Sequence, residues 1–317
     1  MAFDRPVVVV VGAGAMGGLF GGLLAEGGLD VTLVDAWAAH VEAIRRDGVR
    51  IVGVGGDRFI PVRATTQAGE VARADVVLFQ CKAHANAAAA GSVRHLFDEG
   101  AVAISFQNGL GNEAALGAVL GEGAILGGLT AQAGLVEAPG VVRNYGDLAT
   151  HIGEMAGGLS ARSEAIAAAF SRHGLAVTAS AEIRREKWKK LLGNVALGAI
   201  SAVTDLRSVE IMAVPELREI VFRLVDEAAA VAAAEGIVLD IAGSREVLMQ
   251  LVGTGGGGTG NSKSSMREDV IRRRRTEIDT IHGAVAALGR RHGVATPVLD
   301  SMVALVKGLE AGYLPAG

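Results

Sequence analysis

The stretch VVVVVGAGAMGGLFGGLLA, Val7 to Ala25, decides the fold. Val7 to Val11 is an apolar run without polar alternation, the pattern of a strand buried on both faces of a parallel sheet. Gly12, Gly14 and Gly17 follow in G-x-G-x-x-G spacing. There the first glycine permits a tight turn, the second lets the backbone approach a pyrophosphate, and the third lets helix and strand pack closely. The helix expected next, opening through Ala15 and Met16, points its unbonded N–H groups at phosphate oxygens. Gly18, Gly21 and Gly22 each cost that helix about 1 kcal/mol relative to alanine, which implies close packing or a ligand.

Three spaced glycines in a chain with 45 glycines are weak evidence alone; their surroundings supply the rest. A second strand, DVTLVD, ends on Asp35, 18 residues beyond Gly17. A carboxylate there accepts hydrogen bonds from the ribose hydroxyls and repels a 2′-phosphate, so the stretch reads as a dinucleotide site favouring NAD over NADP. The alternative for Asp35 is an ordinary strand-ending turn. No arginine follows in AWAAH, and Arg45 and Arg46, a helix later, read as a solvated face.

The 317 residues suffice for two domains, and 50% of them are hydrophobic. A net charge of −4 with no basic run beside aromatics argues against a nucleic-acid surface. The exception, Arg272 to Arg275, reads as a helix face salt-bridged to Glu277 and Asp279. The single cysteine, Cys81, follows a strand and reads as a core thiol in a reducing compartment. No leader-like segment opens the chain and no run approaches a membrane span, so a soluble cytoplasmic protein without membrane contacts is expected. The histidines are scattered, and no metal site is expected.

Two further buried strands, in ADVVLFQCK and AVAISFQNG, stop at Lys82 and at Asn108. Ligands of open α/β sheets lie beyond the carboxyl ends of the strands, so both residues are expected to flank the cofactor crevice. A solvated strand end remains equally open for Lys82. Asn-Gly is also a hairpin dipeptide, but GNEAALGAVL continues as a helix. Short β segments from Ala124 to Glu154, a helix and a strand in LAVTAS lead to Ser180, beyond which only helical patterns remain. The fold class is therefore α/β: a Rossmann-type doubly wound sheet over 1–180, then an all-helical domain over 181–317.

In EKWKKLLGNVALGAI, the residues Lys190, Asn194 and Gly198 share one helix face. A lysine on a helix is ordinarily solvated; Asn194 among Leu191, Leu192 and Val195 suggests a lined cavity, because a buried amide is costly unless bonded. The glycine-rich segment over 253–260 reads equally as a surface loop or as a lid. One helix is expected from within SSMREDV through TEIDTIHGAVAALGRRHG, and a last one after Thr296-Pro297.

GAGAMG, QNGLGN, KWKKLLGN, and SSMREDV followed by RRTEID occur in order along the chain, which thereby resembles the ketopantoate reductases (2-dehydropantoate 2-reductases) and related 2-hydroxy acid dehydrogenases. The resemblance implies that Lys190 is the catalytic lysine and Glu277 the essential glutamate. It implies further that Asn108 contacts lysine and cofactor, that Asn194 contacts substrate, and that Ser265 binds the substrate carboxylate. The chemistry suits these residue types: hydride from a nicotinamide turns a keto oxygen into an alkoxide, and an ammonium stabilises and protonates it. On one straight helix Ser265 and Glu277 would stand roughly 18 Å apart, so both serve one small acid only if the chain folds back between them. Gly198 stands where the family often has another asparagine, leaving room for a larger acyl group. The expected activity is NAD(P)H-dependent reduction of ketopantoate. The alternatives are an NAD-dependent dehydrogenase of another branched or aromatic D-2-hydroxy acid, and a dinucleotide-binding protein without catalysis. The alanine-rich helices of the second domain suit either a homodimer interface or the domain's own core.

Overall fold

The computed structural model describes residues 3–253 and 264–315. Most of the glycine-rich segment, 254–263, lies outside the described residues, and with it the choice between loop and lid. Contacts divide the chain into two compact units, Met1–Gln107 with Asn112–Arg184, and Asn108–Gly111 with Arg185–Gly317.

The first unit is built on the opening stretch. It comprises β1 (Val8–Val11), α1 (Ala15–Glu26), β2 (Val31–Val34), α2 (Ala38–Asp47), β3 (Val49–Gly53), β4 (Arg58–Ile60), β5 (Arg63–Thr65) and β6 (Val76–Phe79). Then come α3 (Asn86–Ser92), β7 (Val102–Ser105), α4 (Asn112–Leu120), β8 (Ile125–Thr130), β9 (Gly134–Ala138), β10 (Val141–Asn144), β11 (Thr150–Glu154), α5 (Ala161–Arg172) and β12 (Thr178–Ala179). Eight strands form one sheet in the order β12-β11-β8-β7-β6-β1-β2-β5, and four form a second, β4-β3-β10-β9. Parallel neighbours flank β1, with Val8 opposite Val31 on β2 and Val76 on β6. Val8, Val9 and Val10 are wholly buried, each such side chain contributing about 1.5–3 kcal/mol. The chain runs from β1 outward through β2 to β5 and returns to the other side at β6. That reversal is the kind of switch point beyond whose strand ends ligands bind.

Helix α1 lies between the two sheets, which explains its glycines. A Cβ on Gly21 would come within 2.4 Å of Leu33 of the large sheet, and one on Gly22 within 2.9 Å of Ile51 and Val49 of the small sheet. Only a helix without side chains at these positions fits such a gap, while its Leu19, Phe20 and Leu24 fill the core beside them.

The second unit is helical: α6 (Ile183–Thr204), α7 (Ser208–Ala213), α8 (Pro215–Ala234), α9 (Ile241–Gly253), α10 (Ser265–Ile271), α11 (Ala284–His292) and α12 (Pro297–Ala311). Pro215 and Pro297 open their helices, where a missing N–H costs nothing. Ala228 and Ala232 of α8 pack inside the unit's own core with Leu192, Val285 and Leu299.

One expectation is corrected. The single helix anticipated from SSMREDV to GRRHG is two, and Arg272 to Arg275 is not a helix face. Arg273 takes a left-handed φ of 49°, and Arg274 N–H turns back to the Asp269 carbonyl at 2.8 Å. Of the expected partners Asp279 is met by Arg275 at 3.7 Å, while Arg274 turns back to buried Asp269 at 2.8 Å, a partner that the sequence reading did not name. A wide π-helical turn, Asp279–Gly283, then leads into α11.

Candidate active site

The glycine loop of the first unit is shaped by contacts as tight as its sequence spacing implies. Gly12 has φ 94°, and a Cβ there would lie 2.5 Å from the Cys81 nitrogen just beyond β6. Gly17 is closer still, its Cβ position being 1.8 Å from the Gly12 carbonyl oxygen. Around Gly14, by contrast, a Cβ would meet nothing within 4 Å. Gly14 is also the N-cap of α1 and offers no capping side chain, and no acid lies in the first turn. The N–H groups of Ala15 and Met16 therefore face a space that suits an anion. These features fit the diphosphate of a dinucleotide.

Asp35 closes the same loop from the end of β2. Its carboxylate accepts from Ala13 N–H at 2.7 Å and from Trp37 N–H at 2.8 Å. The carboxylate thus ties the glycine loop to the start of α2 whether or not a ribose is bound. Arg46, read from the sequence as part of a solvated face, is exposed and paired with Asp47 at 2.7 Å. Lys82 stands at the end of the β6 segment, where the chain enters a 3-10 turn, and is part-buried. Its neighbour Cys81 has its thiol pushed up to about 11 by burial, so it stays protonated and unreactive at neutral pH.

Sequence reasoning missed an amide cluster in this unit. Gln107 donates to the Cys81 carbonyl and to Asn86 Oδ1, each at 2.6 Å, and Asn86 donates to Asn112 Oδ1 at 2.9 Å. These buried side chains clamp the ends of β6 and β7 to α3 and α4. Amides scattered over 26 residues give no sequence signal of meeting.

In the second unit, Lys190 Nζ donates to Asn108 Oδ1 at 3.0 Å. Asn108 reaches the helical unit because the Asn108–Gly111 loop binds its backbone: Leu110 N–H donates to the Thr280 carbonyl at 2.8 Å, and Gly109 presses against the same carbonyl. Burial pushes the Lys190 ammonium down to about 8; the positive charge of Lys187 adds to that, and the negative charge of Glu277 opposes it. Lys187, one turn earlier on α6, is itself buried at 6% exposure. The sequence reading passed over it because lysines are usually solvated.

Glu277 opens the π-helical turn, whose Thr280 and Ile281 N–H groups bond its carbonyl. Inside the turn, fully buried His282 meets the Val195 carbonyl of α6 at 2.9 Å. Burial lowers its pKa to about 4, so it is a neutral donor that pins the lysine helix to the turn carrying Glu277.

Asn194 is part-buried one turn beyond Lys190. Gly198, a further turn on, is buried, and a Cβ there would stand 3.9 Å from His282 Cε1. Ser264 rather than Ser265 meets this helix: its hydroxyl donates to the Gly198 carbonyl at 3.1 Å while capping α10. Ser265 begins α10 and is exposed. With the helix broken at Arg273, the straight-helix separation of Ser265 and Glu277 no longer applies.

A Rossmann-type unit with an open glycine loop, joined to a helical unit holding a buried lysine, is the build of a nicotinamide-dependent oxidoreductase. The comparisons agree: residues 8–157 match "Ketopantoate reductase PanE/ApbA" and residues 182–310 match its C-terminal counterpart. The chain belongs to the ketopantoate reductase family and is an oxidoreductase of that type. It is 35% identical to a 2-dehydropantoate 2-reductase of Halobacterium salinarum over 304 residues, 95% of this chain and 97% of that one. Among solved structures it resembles a ternary complex of D-mandelate dehydrogenase with NADH and anilino(oxo)acetate, at TM-score 0.90 and 27% identity over 96% of this chain and 99% of that one. A PanE/ApbA family ketopantoate reductase from Ralstonia eutropha follows at TM-score 0.88 and 28% identity, covering 96% and 99%.

Proposed function

We propose that the protein uses NADH to reduce a branched 2-keto acid to its D-2-hydroxy acid, with ketopantoate as the leading substrate. The observation that carries this reading is the Lys190–Asn108 pair, a withdrawn ammonium held at 3.0 Å by an amide and balanced by Glu277. A bound nicotinamide supplies the hydride. Lys190 stabilises the oxygen that becomes an alkoxide and then passes it a proton from Nζ. Asn108 fixes the direction of that ammonium, and Glu277 keeps it charged. Asn194 and Ser265 contact the substrate in this reading, Ser265 through the carboxylate; the domains divide near Ser180 as the sequence suggests.

A second reading rests on Gly198. The absence of a side chain on the Lys190–Asn194 face leaves space for a bulkier acyl group, and a structural neighbour is a D-mandelate dehydrogenase. The decisive assay follows NADH and NADPH oxidation across a panel containing ketopantoate and phenylglyoxylate. Preference for ketopantoate supports the first reading; preference for the aromatic acid supports the second. No turnover with any keto acid would remove both.

For the cofactor, Asp35→Asn removes the charge, and its amide keeps one acceptor oxygen for the Ala13 and Trp37 N–H groups where the carboxylate has two. The expected result is a rise of about tenfold in the ratio of NADPH to NADH use, as one like-charge repulsion of about 1.4 kcal/mol is relieved. An unchanged ratio of kcat/KM values would show that the carboxylate does not select the cofactor.

A further inference from the structure

Trp37 is 46% exposed although it is one of only two tryptophans in the chain. It sits at the N-cap of α2, where it offers no side-chain cap and so gives up the roughly 1 kcal/mol that serine or aspartate supplies there. One face of the indole is stacked on His40, with ring centroids 5.0 Å apart and planes 11° from parallel. His40 is fully buried and held on both nitrogens: Nε2 meets the Ala13 carbonyl at 2.9 Å, and Nδ1 accepts from Gly140 N–H at 3.0 Å. The Trp37 backbone is fixed in turn by Asp35, at 2.8 Å. An aromatic plate with one face anchored to the glycine loop therefore stands two residues beyond the carboxylate read as the ribose ligand.

We propose that Trp37 is the shelf on which the adenine ring of the dinucleotide stacks, with His40 as its rigid backing; this rests on the reading of the glycine loop as a dinucleotide site. Adenine is joined to the ribose that Asp35 would hold, and a flat heteroaromatic ring is the ligand group that an exposed indole face takes best. A shelf preorganised by the Trp37–His40 stack gains affinity because little side-chain freedom remains to be lost on binding.

The test is titration of the purified protein with ADP-ribose and with NADH, by calorimetry and by tryptophan emission. ADP-ribose is expected to quench the exposed Trp37, leaving the emission of buried Trp188. Trp37→Phe should bind ADP-ribose within about threefold of wild type yet lose the quench, and Trp37→Ala should bind about tenfold more weakly. Wild-type affinity in Trp37→Ala, or a quench that persists in Trp37→Phe, would overturn the shelf while leaving the dinucleotide site intact. A wild-type protein that binds neither ligand would overturn the dinucleotide reading and the shelf with it. Trp37→Phe keeps the aromatic stack on His40, so its result holds even if the alanine variant does not fold.

Discussion

Replacing Lys190 by methionine is expected to lower kcat for keto-acid reduction by about a thousandfold, with NADH binding unchanged. Methionine keeps the length of the stem and removes both the charge and the proton, and positioned acids contribute about 10²–10⁴ in rate. The pH dependence carries the same mechanism. Burial and Lys187 bring the Lys190 ammonium down to about 8, so its acid form prevails below that pH and is lost above it. Reduction should therefore be flat below about pH 8 and fall on the alkaline side, while oxidation of the hydroxy acid, which needs the neutral amine as base, should rise through the same range. Steady-state rates in both directions between pH 6 and 10 check the sign. A reduction rate that climbs through pH 8, or a Lys190→Met enzyme at full rate, would remove Lys190 as the acid.

The elements of this site differ in how openly the sequence declares them. Val7 to Val11 and the three spaced glycines announce strand, turn and helix because each position answers a local constraint: two-sided burial, a positive φ, a backbone contact. Lys190 and Asn194 are legible as a helix face through the i, i+4 spacing. What is not legible is long-range. The sequence sets Asn108 at the end of a sheet strand, but its loop packs with the helical unit through a backbone bond from Leu110 to Thr280, 170 residues away. The break at Arg273 is hidden too, since arginine is a good helix former and only the backbone shows its φ of 49°. His282 and Lys187 went unnoticed because a lone histidine or lysine in a helical pattern carries no sign of burial.

The glycine loop permits a sharper separation of stability from binding than any other part of the chain. Gly17→Ala would set a methyl 1.8 Å from the Gly12 carbonyl oxygen and 3.1 Å from Val10 Cγ1. The first of these atoms is backbone and cannot rotate away, so α1 must lift off β1 or the turn must open. The expected loss is about 3 kcal/mol, at the upper end of overpacking costs, or a fall of roughly 6–12 °C in the unfolding midpoint of a unit this size. Gly14→Ala meets nothing within 4 Å and costs only the poorer N-cap that alanine makes at the start of α1, about 1 kcal/mol, or roughly 2–4 °C in the midpoint. Its methyl would nonetheless fill the space facing the N–H groups of Ala15 and Met16. If that space receives the diphosphate, NADH affinity drops about tenfold or more, a loss of at least about 1.4 kcal/mol. Calorimetric titration of both variants beside their melting curves decides the matter. A Gly14→Ala protein that binds NADH like wild type would mean that the phosphates lie elsewhere, whereas a stable Gly17→Ala protein would mean that the turn is looser than the close approach of α1 to β1 requires.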